Sequence, residues 1–185
     1  RANQLLPQLK NRPEVNSEDL RIGLNYFING LFLKVVLADN ISPFVDAAFE
    51  VNPSLLGFLD VSTMSFMFGW QIYFDFFGYS ICAIALGKIF GFNLPQNFRN
   101  PYISINPVEF WRKWHITLSQ WLKDYIYIRL GGNKKYARNI ILVFIICGIW
   151  HGAGGNFVLW GLYHAMLIII YKYLNNKIFF PNVKL

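Results

Sequence analysis

His151 is the residue of this chain whose surroundings best suit chemistry. Residues 147–156 read CGIWHGAGGN, so the histidine stands where one apolar segment breaks into glycines and a second one, residues 157–171, follows. Burying an ionisable imidazole there costs free energy, so such a histidine usually has a function or a partner. A buried imidazole stays neutral, which is the form that a general base requires. Trp150 offers an apolar wall, and the glycines let a ligand approach the backbone. The competing interpretation is a core histidine that is hydrogen-bonded to a neighbouring helix.

The other two histidines have simpler interpretations. His115 follows Trp114 and lies three residues after Arg112, at the edge of an aromatic face. From spacing alone, it is best interpreted as an interfacial histidine at the level of the lipid headgroups. His164 is most simply a hydrogen-bond donor between helices. Thirteen residues and a glycine break separate it from His151, so the spacing leaves open whether the two share a cavity.

One carboxylate also stands in an apolar setting. Asp75 lies within the aromatic run YFDFF of residues 73–77, and an intramembrane carboxylate predicts a functional site unless it has an ion-pair partner. Lys88 or an arginine of a neighbouring helix is the expected partner in that case. Arg99, Arg112 and Lys113 could neutralise a phosphate group or anchor the chain at headgroups. The sequence has no carboxylate pair, phosphate-binding glycine loop or Cys/His ligand spacing, so it predicts no metal site.

The composition is that of a membrane protein. Of the 185 residues, 55% are apolar and 15% are charged, with a mean hydropathy of +0.33, whereas soluble domains carry roughly 25% charged residues. The net charge of +7 arises from Lys and Arg that flank apolar segments, as in cytoplasmic loops of bacterial membrane proteins. No single basic stripe is present, which excludes a nucleic-acid partner. The chain begins with Arg1 instead of a methionine, so we expect a fragment of a longer membrane protein.

Several apolar segments are long enough to be considered as membrane spans. We expect a first span over residues 24–39, and then an amphipathic connection over residues 41–60 that Pro43 and Pro53 interrupt. Residues 61–92 exceed the roughly 20 residues that one crossing needs. They therefore predict a long tilted helix, or a span followed by a surface or re-entrant piece.

The last two apolar segments form a predicted hairpin with basic ends. Lys134, Lys135 and Arg138 precede it, and Lys172 and Lys177 are expected to follow it, so both ends are assigned to the cytoplasmic side. At 1.5 Å per residue, the helix rises ~18 Å between position 139, where the hairpin starts, and the histidine at 151. This is a little over half the thickness of a ~30 Å hydrocarbon core. The glycine break is thus predicted near the middle of the bilayer, where protein must enclose it or it must line a cavity.

A capping signal opens the aromatic segment between these spans. Asn106 is a good N-cap, Pro107 suits the first helical position, and Glu109 is placed to bond back to the cap. Large side chains then recur at three- and four-residue intervals up to the Gly131–Gly132 pair, which predicts one interfacial amphipathic helix. Its aromatic and apolar face comprises Trp111, Trp114, Leu118, Trp121, Tyr125 and Ile128.

Taken together, these segments resemble a known family. Residues 106–128, NPVEFWRKWHITLSQWLKDYIYI, with LGG at 130–132, are similar to the central signature of the membrane-bound O-acyltransferases, closest to their bacterial alginate O-acetyltransferase branch. GIWHGA at 148–153 and FVLWGLYH at 157–164 resemble the family's histidine motif. Further similar stretches are LLPQL at 5–9, FDFFGYS at 74–80 and LPQNFR at 94–99.

The resemblance implies roles and an architecture. His151 matches the family's presumed catalytic histidine and His115 its second motif histidine. The implied fold is all-α and polytopic, with transmembrane helices, an interfacial helix and re-entrant pieces forming part of a funnel. Residues 1–185 would be one partial domain that lacks the N-terminal spans. The residues expected along the substrate path are Trp150, Trp114, Asp75, Arg112 and His164.

The same resemblance implies the reaction and its partners. An acetyl group would pass from a cytoplasmic thioester, an acyl-CoA or an acyl carrier, to a hydroxyl of an extracytoplasmic polysaccharide or to a relay acyltransferase protein, with no bound cofactor or metal. The location would be the bacterial inner membrane. Two other functions fit the residues: a transporter or channel, and a scaffolding subunit of a polysaccharide-export machine.

Overall fold

Helices make up nearly all of the chain that can be described. The computed structural model describes residues 2–11 and 14–179, which contain no β-strand and divide into two units, Arg1–Gln96 and Asn97–Leu185. The first unit contains α1 (Ala2–Lys10), α2 (Ser17–Leu31), a π-helical turn (Phe32–Ala38), α3 (Asp39–Glu50), a 3₁₀ turn (Pro53–Leu55) and α4 (Phe58–Ile89). The second contains α5 (Pro107–Lys113), α6 (Ile116–Leu122), a π-helical turn (Lys123–Tyr127), α7 (Tyr136–His151) and α8 (Gly155–Phe179), with 3₁₀ turns at Pro101–Ile103 and Gly132–Lys135.

The helical path through α2 and α3 is longer than the sequence predicts. It runs from Ser17 to Glu50, so most of the expected connection at 41–60 is helical and Pro43 lies inside α3. Proline removes one N–H donor from a helix, and the π-helical turn just before α3 already departs from the regular hydrogen-bond ladder. The Asn40 side-chain amide donates to the carbonyl oxygens of Val35 (3.2 Å) and Val36 (2.8 Å) across that turn. The break therefore falls at Pro53, and not at Pro43.

Small residues bring α2 and α4 into close antiparallel contact. A Cβ added to Gly30 would lie 2.8 Å from the Gly78 carbonyl oxygen, and one added to Gly78 would lie 2.7 Å from that of Gly30. Only glycine allows two backbones to approach so closely. The α4 helix itself is uninterrupted, so the long helix predicted for residues 61–92 is confirmed without a re-entrant piece.

This crossing places an ion pair between the two helices. Lys34 Nζ lies 2.7 Å from an Asp75 carboxylate oxygen and 2.7 Å from one of Asp39. The alternative partner considered for Asp75 is wrong, because Lys88 Nζ lies 3.6 Å from Asp19 instead. Lys34 lies one turn after the glycine crossing, on the helical path that packs against α4, whereas the expected partners were Lys88 of the same apolar run or an arginine.

The described chain has three helices that are long and apolar enough to cross a membrane: Ser17–Glu50, Phe58–Ile89 and Gly155–Asn175. This confirms the all-helical membrane protein that the composition predicts. The α7 helix has 16 residues, or about 24 Å at 1.5 Å per residue, which is shorter than a ~30 Å hydrocarbon core. Lys172 and Lys177 lie within α8 and do not follow it, so that helix is longer than expected.

Reciprocal glycines also join α7 to α8. A Cβ on Gly148 would overlap the Phe157 carbonyl oxygen, and one on Gly161 would overlap that of Phe144. At the other end of the pair, Lys172 Nζ lies 3.5 Å from the centre of the Tyr136 ring, a cation–π contact. The two helices are thus antiparallel, and the end of α7, which carries His151, lies next to the beginning of α8.

Candidate active site

The predicted interfacial helix is broken at His115. The α5 helix ends at Lys113, Trp114 is extended, and His115 has φ 43° and ψ 54°, the left-handed conformation. A residue with a Cβ rarely adopts this conformation, and it cannot continue a right-handed helix. The single amphipathic helix expected from the aromatic spacing is therefore wrong. Two short helices and a π-helical turn replace it.

The capping expected at the start of α5 is largely present. Asn106 Oδ1 accepts the Glu109 N–H at 2.8 Å, as predicted, but Glu109 Oε2 accepts the N–H of Ile105 (3.1 Å) and not that of the cap. Lys113 Nζ lies 2.6 Å from Glu109 Oε1. Lys113 and the Ile105 N–H lower the pKa of the Glu109 carboxyl. Because Lys113 has this partner on its own helix, Arg112 is the better candidate for a substrate contact.

A preceding segment holds the break at His115 from both sides. The Arg99 N–H donates to the Lys113 carbonyl oxygen (3.0 Å), and the Ile116 N–H donates to the Asn97 carbonyl oxygen (2.9 Å). The Thr117 hydroxyl donates to Asn97 Oδ1 at 2.6 Å. Segment 97–99 therefore bridges the end of α5 and the beginning of α6.

Both motif histidines line one cavity in the second unit. The cavity has a volume of about 330 Å³ and its wall is mostly apolar, with His115 and His151 among the few polar groups. Arg112 also lines it, and so do Trp111 and Trp114 from α5 and the residue after it. The cavity thus combines an apolar binding volume with two imidazoles, which is the composition of a small-molecule site.

Trp150 connects the two histidines. The centre of its indole lies 5.9 Å from the His115 ring and 4.8 Å from the His151 ring, edge to face in the second case. Trp160 of α8 also packs edge to face on His151, at 5.2 Å. His151 is exposed in the described chain, so the expectation that it is buried is wrong. The reason is that α7 ends there and the extended Gly152 carries the chain away.

The electrostatic environment of His115 keeps it neutral. This residue lies outside the three candidate spans. Burial, and to a smaller extent the charge of nearby His151, lowers the pKa of His115 to about 4. A neutral imidazole at physiological pH can donate one hydrogen bond and accept another, so it can orient a substrate without adding a charge to the cavity.

His164 packs against residues of the cavity wall without lining the cavity itself. Its ring packs edge to face on Trp111 (5.0 Å) and Trp160 (4.8 Å), and it lies parallel to Phe144 at 6.4 Å. The cavity is lined by Trp111 and Phe144 in front of it. The interaction that His164 makes between helices is therefore aromatic packing.

Asp75 belongs to the first unit, where its partner is Lys34.

Two residues near the cavity were not predicted from the sequence. Asn97 accepts hydrogen bonds that hold the turn at His115, and Cys147 lines the cavity one helical turn before His151. The four-residue interval between Cys147 and His151 was a usable signal, because such residues share a helix face. Asn97 gives no comparable signal, since its contacts depend on a non-local turn.

The helices and the cavity define an integral membrane protein with an apolar cavity that two histidines line. The particular family follows from comparison with known proteins: the model of MBOAT, the membrane-bound O-acyltransferase family, matches residues 3–183. The chain belongs to this family. The match covers nearly all of both units, and the resemblance inferred from the tryptophan and histidine motifs is confirmed.

Relatives in the family carry acyltransferase names. The chain is 44% identical over 176 residues, 92% of its length, to a peptidoglycan O-acetyltransferase of Helicobacter pylori, of which this covers 33%. It is 43% identical over 152 residues, 80% of its length, to a probable alginate O-acetylase AlgI of Azotobacter vinelandii, covering 30% of that protein. A teichoic acid D-alanyltransferase of Bacillus subtilis is 31% identical over 83% of the chain and is covered to 42%. The chain thus spans between 30% and 42% of the length of these relatives.

Proposed function

We propose that the protein is a membrane O-acyltransferase that moves an acetyl group from a cytoplasmic thioester donor to the hydroxyl of an extracytoplasmic polysaccharide, or to a relay protein. The observation that carries this proposal is the shared cavity of His115 and His151. Family membership and the names of the relatives support the reaction class. Those names include peptidoglycan, alginate and teichoic acid, so they support a cell-envelope polymer as the acceptor.

In the proposed reaction, His151 is the general base. Its neutral imidazole removes the proton of the acceptor hydroxyl while the hydroxyl oxygen attacks the thioester carbonyl carbon. The new C–O bond forms, the C–S bond breaks, and the sulfur leaves as a thiolate that takes up the proton from His151. Proton transfer of this kind contributes about 10²–10⁴-fold to a rate, and positioning in the cavity contributes further.

The remaining cavity residues orient the reactants. His115 would hydrogen-bond the acyl carbonyl or the acceptor from the other side of Trp150. Trp114 provides a flat apolar surface for the acyl group, and Arg112 provides a positive charge for an anionic part of the donor. Trp150 does not line the cavity, but it contacts the rings of both histidines and would hold them in position. The donor would be acyl-CoA or an acyl carrier. The bilayer would be the bacterial inner membrane, with an extracytoplasmic acyltransferase protein as partner.

Substitution of His151 tests the assignment directly. In the full-length protein, His151→Ala should lower O-acyl transfer by at least about 10²-fold because the base is lost. The readout is the ester content of the cell-envelope polysaccharides, with membrane insertion and protein amount measured in parallel. Thr63→Val is the control, since Thr63 is an exposed residue of α4 in the first unit and its replacement should retain most of the activity. Undiminished transfer by His151→Ala would refute the catalytic role.

A transporter is the second candidate function, and one observation favours it. Lys34, Asp39 and Asp75 form an ion-pair cluster within two candidate spans, Ser17–Glu50 and Phe58–Ile89. Ionisable groups within spans commonly belong to solute or proton paths. Solute flux through reconstituted vesicles in the absence of any acyl donor would support this function, and donor-dependent acylation of a polymer without such flux would reject it.

A further inference from the structure

We propose that Asn97 is a positioning residue for acyl transfer: it caps α6 in place of His115 and thereby fixes the turn from which the His115 imidazole reaches the cavity. The inference rests on the proposed function, in which His115 orients a reactant. It goes further by naming the group that sets the orientation of His115.

The first evidence is the capping of α6. The first N–H groups of a helix have no acceptor within that helix, and the side chain of the N-cap residue normally supplies one. His115 holds the N-cap position of α6 but makes no side-chain capping bond. Asn97 supplies the acceptors instead. Its carbonyl oxygen accepts the Ile116 N–H at 2.9 Å, and its Oδ1 accepts the Thr117 N–H at 3.4 Å.

The second evidence is a side-chain bond that fixes Asn97 itself. The Thr117 hydroxyl donates to Asn97 Oδ1 at 2.6 Å, so backbone and side chain of Thr117 share the same acceptor. Phe98 is 4% exposed and packs edge to face on Trp114, with ring centres 5.0 Å apart. The residues on both sides of His115 are thereby tied to segment 97–99.

The third evidence is the conformation that these bonds hold. His115 is left-handed, with φ 43°, and a residue with a Cβ persists there only when its surroundings determine it. The contacts of Asn97 provide that determination, because they fix the two residues after His115. If they were lost, His115 could relax toward an ordinary backbone conformation and its imidazole would move relative to Trp150 and His151. Displacements of about 1 Å at a reacting group can lower a rate 10²-fold.

The test is a double-mutant cycle between Thr117 and His115. Thr117→Val removes the hydroxyl donor at nearly constant size, whereas Thr117→Ser keeps it. Thr63→Val is the matched control, because Thr63 is an exposed residue of α4 in the other unit. Each variant of the full-length protein is assayed in membrane vesicles from a strain that lacks its own copy, with radiolabelled acetyl-coenzyme A at varied concentration. Asn97→Ala is the second variant at the acceptor.

We expect Thr117→Val and Asn97→Ala to lower kcat by about tenfold or more, with the donor KM changed less than about twofold, since orientation and not binding is lost. Thr117→Ser and Thr63→Val should stay within about twofold of the parent in kcat. In a His115→Ala background, Thr117→Val should have no further effect, because residues that act through one another are not additive.

Equal losses of kcat from Thr117→Val in both backgrounds would overturn the inference, and so would equal rates of Thr117→Val and Thr117→Ser. If His115→Ala has no measurable rate, the comparison of Thr117→Val with Thr117→Ser decides the question alone. A loss that follows protein amount or melting temperature would also overturn it, because the contact would then only stabilise the fold. A parent protein that transfers no acetyl group overturns the proposed function, which is a different outcome from an active parent with additive losses.

Discussion

Gly161→Ala should separate α7 from α8, and its effect can be estimated from the structure. A Cβ at Gly161 would overlap the Phe144 carbonyl oxygen and lie 2.9 Å from the Phe144 carbonyl carbon. Non-bonded carbon atoms are normally about 3.5–4.0 Å apart. The helices must therefore move apart by roughly 0.6–1 Å, because the obstacle is backbone and not a side chain that can rotate.

The expected cost combines two opposing effects. Overpacking of a well-packed site costs about 1–3 kcal/mol, whereas replacing glycine by alanine within a helix gains about 0.8–1 kcal/mol in helix propensity. The net expectation is a loss of up to about 2 kcal/mol in the free energy of unfolding. Acyl transfer should also fall, because His151 is on α7 and Trp160, which packs against it, is on α8.

Gly155→Ala is the matched control on the same helix. No atom lies within 4 Å of a Cβ added there, so this variant should be neutral or slightly stabilising. The measurement is the midpoint of thermal unfolding of the purified full-length protein in detergent, alongside the transfer rate. A Gly161→Ala protein that is as stable and as active as Gly155→Ala would refute the close crossing of α7 and α8.

Two further predictions concern buried polar groups of the second unit. Asn139 is completely buried, donates to the carbonyl oxygens of Leu130 (3.2 Å) and Gly132 (2.7 Å), and accepts from Arg138. Asn139→Leu should therefore lower the free energy of unfolding by about 2–3 kcal/mol in thermal or denaturant melts, and an unchanged melting midpoint would contradict this. Because the pKa of His115 is lowered from 6.5 to about 4, the unfolded state binds a proton first as the pH falls. The parent should therefore lose stability between about pH 6.5 and 4 relative to His115→Asn, and parallel pH profiles of the two proteins would contradict the environment assigned to His115.

The positions of the long helices could be predicted because hydrophobic segments carry that information locally. The apolar run at 61–92 contains no proline and only two charged residues, Asp75 and Lys88, and α4 spans Phe58–Ile89 without a break. The Asn106 cap was likewise predictable, since the acceptor and the N–H that it receives are three residues apart. Where the determining contact lies within one or two helical turns, the sequence is sufficient.

The break at His115 could not be predicted for the opposite reason. Trp111, Trp114 and Leu118 have the spacing of one continuous helix face, and periodicity alone predicts such a helix. The left-handed turn depends on acceptors from Asn97, 20 residues before Thr117. Local propensity yields to tertiary contacts at such positions, and departures of this kind tend to occur at functional sites.

The two motif histidines act on one cavity and are positioned by different contacts. Spacing alone suggests that His115 is an interfacial residue, yet His115 and His151 line the same cavity and both contact Trp150. His151 owes its position to the end of α7 and the glycines that bring α8 close. His115 owes its position to a strained turn that a distant asparagine caps. A strained turn positions one imidazole and a glycine crossing positions the other. Together these two contacts fix how the imidazoles lie relative to each other. Replacing the Asn97 cap or the glycines between α7 and α8 should therefore lower the rate of acyl transfer more than the affinity for the donor.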